Sequence, residues 1–119
     1  MTDNIFWLLE LSIDDGKLDE FKRLAEEMSA ATRNEAGAIA YEWFLGADNA
    51  TCHIYERYSD NAATLVHLGN FGARFAERFM GCVTPTSFDV YGPADDQVRG
   101  GLAGMGAVHY DTQLAGFSR

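Results

Sequence analysis

The sequence predicts an α+β domain whose elements follow one another in the order β-α-β-β-α-β. Three observations support this order. Residues 5–13 form a nearly apolar run that is rich in strand formers, and the residues after position 17 carry apolar side chains at helical spacing. Two segments of alternating polarity then follow, joined by a short polar connection that is typical of a hairpin.

The first two elements are a strand and an amphipathic helix. The run from Ile5 to Ile13 is apolar on both sides, which is typical of a central strand covered on both faces. The turn at residues 14–16 is predicted to supply the N-cap of the helix, and Gly37 to end it. One face of this helix carries its apolar residues together with one threonine: Leu18, Phe21, Leu24, Ala25, Met28 and Thr32.

The next two elements are predicted to form the hairpin. Residues 38–45 alternate, and four of their side chains are expected on one side of the strand: Ile39, Tyr41, Trp43 and Leu45. Residues 46–49 turn the chain, and residues 51–58 alternate again. The two strands are therefore expected to pair with each other.

A second helix and a last strand complete the order. Ser59 or Asp60 is expected to cap the helix, which Gly69 and Gly72 interrupt before helical spacing resumes. Residues 83–91 form the last strand. We therefore expect a domain over residues 1–93 and a glycine-rich C-terminal extension of it over 94–119, with a short helix at residues 95–102.

Elements in this order form a ferredoxin-like fold, an antiparallel sheet with both helices on one face. The other face needs a cover, because a monomer rarely exposes a large apolar patch to water. We expect five aromatic residues on that face: Trp7, Tyr41, Trp43, Tyr55 and Tyr91. Pairing of two sheets is the simplest cover, so the sequence predicts a homodimer.

Composition and charge exclude several partners. The chain has 18 acidic and 9 basic residues, a formal net charge of -9, and no basic stripe that would neutralise phosphates. Nucleic acid and anionic membrane surfaces are therefore not expected as partners. No apolar stretch approaches the ~20 residues of a membrane helix, and no signal peptide is recognisable, so a cytoplasmic location is expected. Cys52 and Cys82 are expected to be buried free thiols.

The common catalytic and cofactor motifs are not found in the sequence. The three histidines do not have the spacing of a metal site, and the glycine-rich segment near residue 104 does not follow the dinucleotide-binding pattern. No nucleophile elbow is present either. We therefore expect no metal and no cofactor.

His67 and Glu56 are the candidate polar residues. His67 shares a helix face with Phe71, and an imidazole with a pKa near ~6.5 exchanges protons at neutral pH. The alternative is a half-buried histidine that is hydrogen-bonded to backbone. Glu56 lies mid-strand and faces inward, where a carboxylate needs a partner. It is expected to be a structural polar residue in an ion pair, with a role as catalytic base as the alternative.

Several short motifs together resemble those of the antibiotic biosynthesis monooxygenase family of dimeric α/β-barrel proteins, over about residues 4–92. The motifs that carry the resemblance are Glu35-Ala36-Gly37, Tyr41-Glu42, Tyr55-Glu56-Arg57-Tyr58, Ala62 or Ala63, and His67. The resemblance implies two sheets that meet in a dimeric barrel. Some members oxygenate phenols or quinols with molecular oxygen and without metal or flavin.

The resemblance implies roles for individual residues. His67 becomes the catalytic candidate that handles a proton. The resemblance also implies that Tyr41, Trp43, Tyr55 and Tyr58 form the wall of its pocket. The residue pattern itself adds Trp7, Phe71 and Arg74 as candidate substrate-binding residues, and core packing is the alternative for the two tryptophans and Phe71.

These observations lead to two hypotheses of function. The first is a cofactor-independent monooxygenase that uses molecular oxygen on a small aromatic or quinol substrate. The second is a non-catalytic dimer of the same fold that binds or senses a small ligand, and other small-molecule chemistry such as isomerisation also stays open.

Overall fold

The computed structural model describes residues 1–119 and contains the predicted elements in the predicted order, with additions at the C-terminal end. The strands are β1 (Ile5–Ile13), β2 (Ala38–Leu45), β3 (Thr51–Tyr58), β4 (Val83–Tyr91) and β5 (Val108–Tyr110). The helices are α1 (Leu18–Arg33), α2 (Asn61–Arg74), α3 (Ala76–Met80) and α4 (Asp96–Leu102), and a 3-10 turn covers Ala103–Met105.

The five strands form one sheet in the order β2-β3-β1-β4-β5. β1 lies at its centre and pairs antiparallel with β3 on one side and with β4 on the other. β2 pairs antiparallel with β3, and only β5 runs parallel to its neighbour β4. The predicted ferredoxin-like α+β fold is confirmed.

The core lies between the sheet and the helices. Along β1, every odd-numbered residue from Ile5 to Ile13 is buried, and every even-numbered residue is only half-buried. The buried side chains of β1 pack with Phe21 and Leu24 of α1 and with Phe79 of α3. Each such fully buried apolar side chain contributes roughly 1.5–3 kcal/mol of transfer free energy.

The expectation that five aromatic residues share the uncovered face is wrong for three of them. Trp7, Tyr41 and Trp43 lie on the side of the sheet that faces the helices. Tyr55 and Tyr91 lie on the opposite side, which we call the open face. Because β1 is apolar on both sides, its sequence does not reveal which set of residues faces the helices.

A bulge in β2 explains why one residue of its predicted apolar row is misplaced. The register with β3 shifts between Ala38 and Ala40, so Ile39 is the extra residue and is 55% exposed. After the bulge, Tyr41 lies opposite Glu56 and Trp43 opposite Ile54. A one-residue insertion moves a side chain to the other surface of the strand, and alternation alone does not predict it.

The predicted ends of α1 are also wrong. The helix begins after Lys17 with no side-chain cap, and it ends at Arg33 rather than at Gly37. Gly37 has another role, because a Cβ atom there would collide with the Cβ atom of Ala63 on α2.

None of the helices is long and apolar enough to cross a membrane.

The second helix has the predicted cap but a different interruption. The Asp60 carboxylate accepts a 2.8 Å hydrogen bond from the Ala63 N–H. The helix continues through Gly69 and Gly72 and breaks at Phe75, where φ is -127°. Glycine lowers helix stability by roughly 1 kcal/mol but does not end a helix that tertiary contacts support.

The C-terminal extension packs onto the domain. The Asp95 carboxylate caps α4 by accepting from the Val98 N–H at 2.9 Å, which confirms the predicted short helix. Val98 and Leu102 are buried, and α4 packs against α2. β5 is too short to be predicted from alternation, and it extends the sheet beside β4.

The two cysteines are free and buried. Cys52 lies on β3, and Cys82 lies just before β4. Burial raises the pKa of the Cys52 thiol to about 11, so it stays protonated at neutral pH. Cys52 is therefore a packing residue rather than a nucleophile.

Candidate functional site

A cavity of about 420 Å³ lies between the sheet and the helices. Thirteen of its 18 lining residues are hydrophobic. The sheet contributes Trp7, Ile54 and Phe88, and the helices contribute Leu68 and Phe71 among others. His67, Glu56 and the Tyr41 phenol are the titratable groups of this otherwise apolar lining, so they determine its chemistry.

The His67 imidazole lies between two carboxylates. Its Nδ1 atom is 3.1 Å from Oε1 of Glu35, and its Nε2 atom is 3.2 Å from Oε1 of Glu56. All three side chains are less than 9% exposed. Two acceptors in contact with both ring nitrogens are best satisfied by a doubly protonated imidazolium, in which both nitrogens donate.

Glu56 joins this arrangement to the sheet. Its Oε1 atom accepts a 2.6 Å hydrogen bond from the Tyr58 hydroxyl as well as contacting His67. Tyr58 lies two residues further along the same strand and therefore on the same face. Because both contacts use Oε1 and the side chain lines the cavity, Oε2 is available to a molecule in the cavity.

Glu35 holds the imidazole from the other side. It lies in the connection between α1 and β2, and the exposed Asn70 amide donates to its Oε2 atom at 3.2 Å. A second, small cavity of about 20 Å³ is lined by Glu35, His67, Asn70 and Arg74, among other residues. Glu35 therefore faces a different space from Glu56.

The environment favours the charged form of His67. Burial by itself lowers the pKa of His67, but the hydrogen bonds and negative charges of Glu56 and Glu35 outweigh it, and the pKa is raised. Burial and the charge of Glu56 raise the pKa values of Tyr41 and Tyr58. The two phenols therefore stay neutral beside a carboxylate–imidazolium–carboxylate cluster whose net charge is negative.

Aromatic rings fix the position of the imidazole. The ring centroid of Tyr58 is 4.8 Å away, and that of Tyr41 is 5.5 Å away in an edge-on arrangement. Trp7 packs against Tyr58 at 5.2 Å. A ring held by aromatic neighbours on two sides and by carboxylates at both nitrogens has little freedom to turn.

The structure brings several of the predicted site residues together. Trp7, Tyr41 and Phe71 line the large cavity with His67, as does Glu56. Glu56 also has the ionic partner that an inward carboxylate requires. The backbone alternative for His67 is wrong, because both ring nitrogens contact carboxylates.

Tyr58 lies one layer away, in contact with His67 and Glu56 rather than in the cavity wall. The Tyr58 hydroxyl donates a hydrogen bond to the Glu56 carboxylate, so it points towards Glu56.

Besides Tyr58, three more predicted pocket residues do not line the large cavity. Tyr55 lies on the open face, because side chains alternate along β3 and its neighbour Glu56 faces inward. Trp43 fills the core beside Phe21, at 5.4 Å between ring centroids. Arg74 is exposed, and its guanidinium lies 4.9 Å from the centre of the Phe75 ring.

Glu35 was missed as a site residue. It is 32 positions from His67, so no local spacing connects the two. Glu35 appears in the sequence only as part of the motif that ends at Gly37. The close packing of Gly37 against α2 is what brings this loop beside His67, and that packing is visible only in three dimensions.

The C-terminal extension forms part of the cavity wall. Gly101 and Leu102 of α4 line the cavity, as do Gly104 and Met105 just after it. Leu102 is 1% exposed, so the part of the wall that α4 forms is packed against the rest of the domain. The extension therefore belongs structurally to the candidate site.

The site lacks the donor arrangement of a metal centre. No group of three or more histidine, cysteine, aspartate or glutamate residues converges on one point. Glu35 and Glu56 contact opposite nitrogens of one imidazole, so the ring separates them. The contact with Glu35 is a hydrogen-bonded ion pair, and the contact with Glu56 is an ion pair at 3.2 Å.

Comparison with protein families gives one match. The model of the family described as antibiotic biosynthesis monooxygenase matches residues 5–78. This segment contains β1 to α2 and all of the residues Glu35, Glu56, Tyr58 and His67. A search of curated proteins finds no match.

Solved structures of the same fold cover different parts of the chain. MupZ from Pseudomonas fluorescens is 26% identical, with a TM-score of 0.85 over 100% of this chain and 91% of its own. SnoaB from Streptomyces nogalater, a cofactor-independent oxygenase, is 14% identical, with a TM-score of 0.65 over 75% of this chain and 91% of its own. A conserved protein from Methanosarcina mazei Go1 is 16% identical, with a TM-score of 0.66 over 74% and 90%. The MupZ likeness thus also includes the C-terminal extension.

Proposed function

Because the chain belongs to the antibiotic biosynthesis monooxygenase family, we propose that it is a cofactor-independent oxygenase of a small aromatic or quinol compound. One observation carries the proposal. Glu56 and His67 lie 3.2 Å apart in the wall of a cavity that is otherwise largely apolar, where they are suited to proton transfer. The likeness of the fold to SnoaB, a cofactor-independent oxygenase, is consistent with it.

Oxygenation of this kind requires little from the protein besides proton transfer. A quinol that loses a proton becomes electron-rich enough to reduce molecular oxygen itself. One oxygen atom enters the ring, the other leaves as water, and a hydroxyquinone is formed, so the quinol supplies all of the electrons. Glu56 would accept the hydroxyl proton at Oε2, His67 would balance the charge, and the apolar walls would exclude water.

Oxygen uptake with a naphthoquinol tests the proposal. The wild-type protein is expected to consume oxygen faster than the buffer does, and His67→Ala to lose roughly 100-fold of that rate, since proton transfer by a positioned group contributes about that much or more. Glu27→Gln is the matched control, because Glu27 is a surface carboxylate paired with Arg78. Unchanged uptake in His67→Ala would remove this histidine from the mechanism.

A second candidate is proton-transfer chemistry without oxygen, such as an isomerisation. The contacts of both His67 nitrogens with carboxylates favour it, because a held imidazolium is suited to donate a proton. Turnover that persists under nitrogen distinguishes this candidate from an oxygenase. A binding or sensing role predicts ligand-dependent thermal stabilisation with neither kind of turnover.

We also propose that two copies pair through the open face. Dimers are typical of the family. On this face Phe6 stacks on Tyr91 at 5.3 Å, and the Arg57 guanidinium lies 4.3 Å from the Phe6 ring centre. A preformed aromatic surface of this kind suits burial against an identical sheet.

A further inference from the structure

His67 separates two cavities of very different character. The large one is mainly apolar and is lined by Glu56, and the small one is lined by Glu35 and the exposed Asn70. His67 itself lines both. The imidazole therefore lies between the large cavity and a small space near the surface whose polar lining residues include Glu35, Asn70 and Arg74.

On the inner side, the connection begins at Glu56. Its Oε1 atom is occupied by the Tyr58 hydroxyl and by Nε2 of His67, so a new proton would enter at Oε2. A carboxylate that gains a proton there no longer stabilises the positive charge of His67. Protonation of Glu56 therefore lowers the affinity of the ring for its own second proton.

On the outer side, the connection ends at Glu35. Nδ1 of His67 is 3.1 Å from one Glu35 oxygen, and the Asn70 amide is 3.2 Å from the other. The adjoining space of about 20 Å³ is large enough for roughly one water molecule. A proton that leaves Nδ1 thus has an acceptor and a short route to solvent.

We propose that Glu56, His67 and Glu35 form a proton relay from the large cavity to the surface, with Glu35 as its exit. This inference rests on the proposed function, since it concerns the proton that the substrate gives up. The hydroxyl proton moves to Glu56, the O–H electron pair stays on the substrate oxygen, and the Nδ1 proton of His67 moves to Glu35 and then to water. One proton enters and one leaves.

The relay avoids a change of charge in the buried cluster. Before transfer it contains two carboxylates and an imidazolium, and afterwards one carboxylate, one carboxylic acid and a neutral imidazole. The net charge of the cluster is the same in both states. The exported proton carries one positive charge to water, so the negative charge that the transfer creates remains on the substrate oxygen, where its electron pair is available for reaction.

Other groups around the ring do not replace Glu35. Tyr41 and Tyr58 face the imidazole but remain neutral, because burial and Glu56 hold their hydroxyl protons. Arg74 lines the small cavity as a permanent cation and accepts no proton. Glu35 is the remaining group in contact with Nδ1 that can take a proton.

The test uses 4-nitrophenol in the absence of oxygen, with phenolate followed by absorbance and released protons by a fluorescent pH indicator. In the wild type, phenolate formation and proton release are expected at the same rate. In Glu35→Gln, release is expected to fall roughly 100-fold, in line with the loss of a proton-transfer group. In Glu35→Ala, added formate is expected to restore release, which a purely structural role would not explain. Glu27→Gln should behave as wild type.

Wild-type protein supplies a second measurement that does not depend on the folding of any variant. If several protons move together, the release rate should fall non-linearly as deuterium oxide replaces water. The relay would be overturned if the release rate fell linearly with the fraction of deuterium oxide. It would also be overturned if Glu35→Gln released protons as fast as the wild type. A wild type that forms no phenolate would overturn it as well. Since oxygen is absent, these outcomes are independent of whether quinols are oxygenated.

Discussion

The Tyr58 hydroxyl donates a 2.6 Å hydrogen bond to the same Glu56 oxygen that contacts Nε2 of His67. The Tyr58 hydroxyl from the sheet and the His67 ring from α2 therefore converge on one carboxylate oxygen. Tyr58 has no exposed surface and Glu56 is 6% exposed, so neither is solvated when the bond is lost. The bond fixes the orientation of the carboxylate towards the cavity.

Tyr58→Phe is expected to destabilise the protein by roughly 1.5–3 kcal/mol, the range for hydrogen bonds to charged groups. The ring remains to fill its site, so the change isolates the hydroxyl. Urea unfolding should show a lower midpoint with an unchanged slope. Tyr55→Phe is the control on the same strand, because its hydroxyl accepts only a long 3.4 Å hydrogen bond from Arg57, and it should lower the midpoint less. Equal midpoints for both variants would contradict the role given to Tyr58.

Stability is expected to depend on pH through His67. The folded-state pKa is raised, so the folded protein binds this proton more tightly than the unfolded chain does. The stabilisation is fully present below the unfolded value of about 6.5 and is lost as the pH rises through the folded pKa.

Urea unfolding across this pH range measures how the free energy of unfolding changes with pH. The free energy of unfolding of the wild type should fall as the pH rises, and the part of this fall that His67 causes should be absent in His67→Gln. His53→Gln is the control, because His53 is 42% exposed and contacts Glu10 on the open face. An identical pH profile in wild type and His67→Gln would contradict the prediction.

Close packing between Gly37 and α2 gives a third prediction. Gly37→Ala would place a methyl group against Ala63, which should cost about 1–3 kcal/mol, as overpacking typically does. Ala63→Gly in the same chain removes the collision and should recover part of this loss. Unfolding of the two single variants and the double variant measures the coupling between them. Strict additivity would show that the two positions do not meet.

Much of the fold could be predicted because local signals agreed with it. The element order, the hairpin and the Asp60 cap each follow from side-chain period or turn chemistry within a short segment. The errors occurred where such signals are weak. The apolar row of β1 does not distinguish its two faces, and the bulge at Ile39 leaves no mark in the alternation.

The site was only partly predictable for a related reason. His67, Glu56 and Tyr58 lie on regular elements, where periodicity gives the direction of the side chain. Glu35 lies in a connection, and its position depends on the packing of Gly37 against Ala63. The partner of a buried charge is a tertiary contact, so the sequence indicates that one is needed without naming it.

The open face gives a fourth prediction, on assembly. Leu8 lies near the middle of the central strand, and Leu8→Glu would place a charge in a buried sheet-to-sheet contact. The wild type is expected at two-chain mass in light scattering at micromolar concentration, and this variant at one-chain mass. Val66→Glu, at an exposed apolar residue of α2, should remain dimeric. If the wild type ran at one-chain mass, the proposal that two copies pair through the open face would be wrong.

Two glycines of α2 allow the cavity to be blocked without harm to the helix. A Cβ atom at Gly72 or Gly69 would meet nothing within 4 Å, but only Gly72 lines the cavity. Gly72→Leu and Gly69→Leu should each stabilise the helix by up to about 1 kcal/mol, since leucine has the higher helix propensity. They should differ in ligand binding, because only the side chain at position 72 competes for the space of a ligand.

Calorimetric titration with 1-naphthol measures that difference. The variant at Gly72 is expected to bind at least about tenfold more weakly than wild type, a loss of roughly 1.4 kcal/mol. The variant at Gly69 should bind as wild type does, because its new side chain lies outside the cavity. If Gly72→Leu bound 1-naphthol with unchanged affinity while melting at a higher temperature, the aromatic ligand would occupy some other part of the molecule, and the cavity beside Glu56 would lose its role as the binding site.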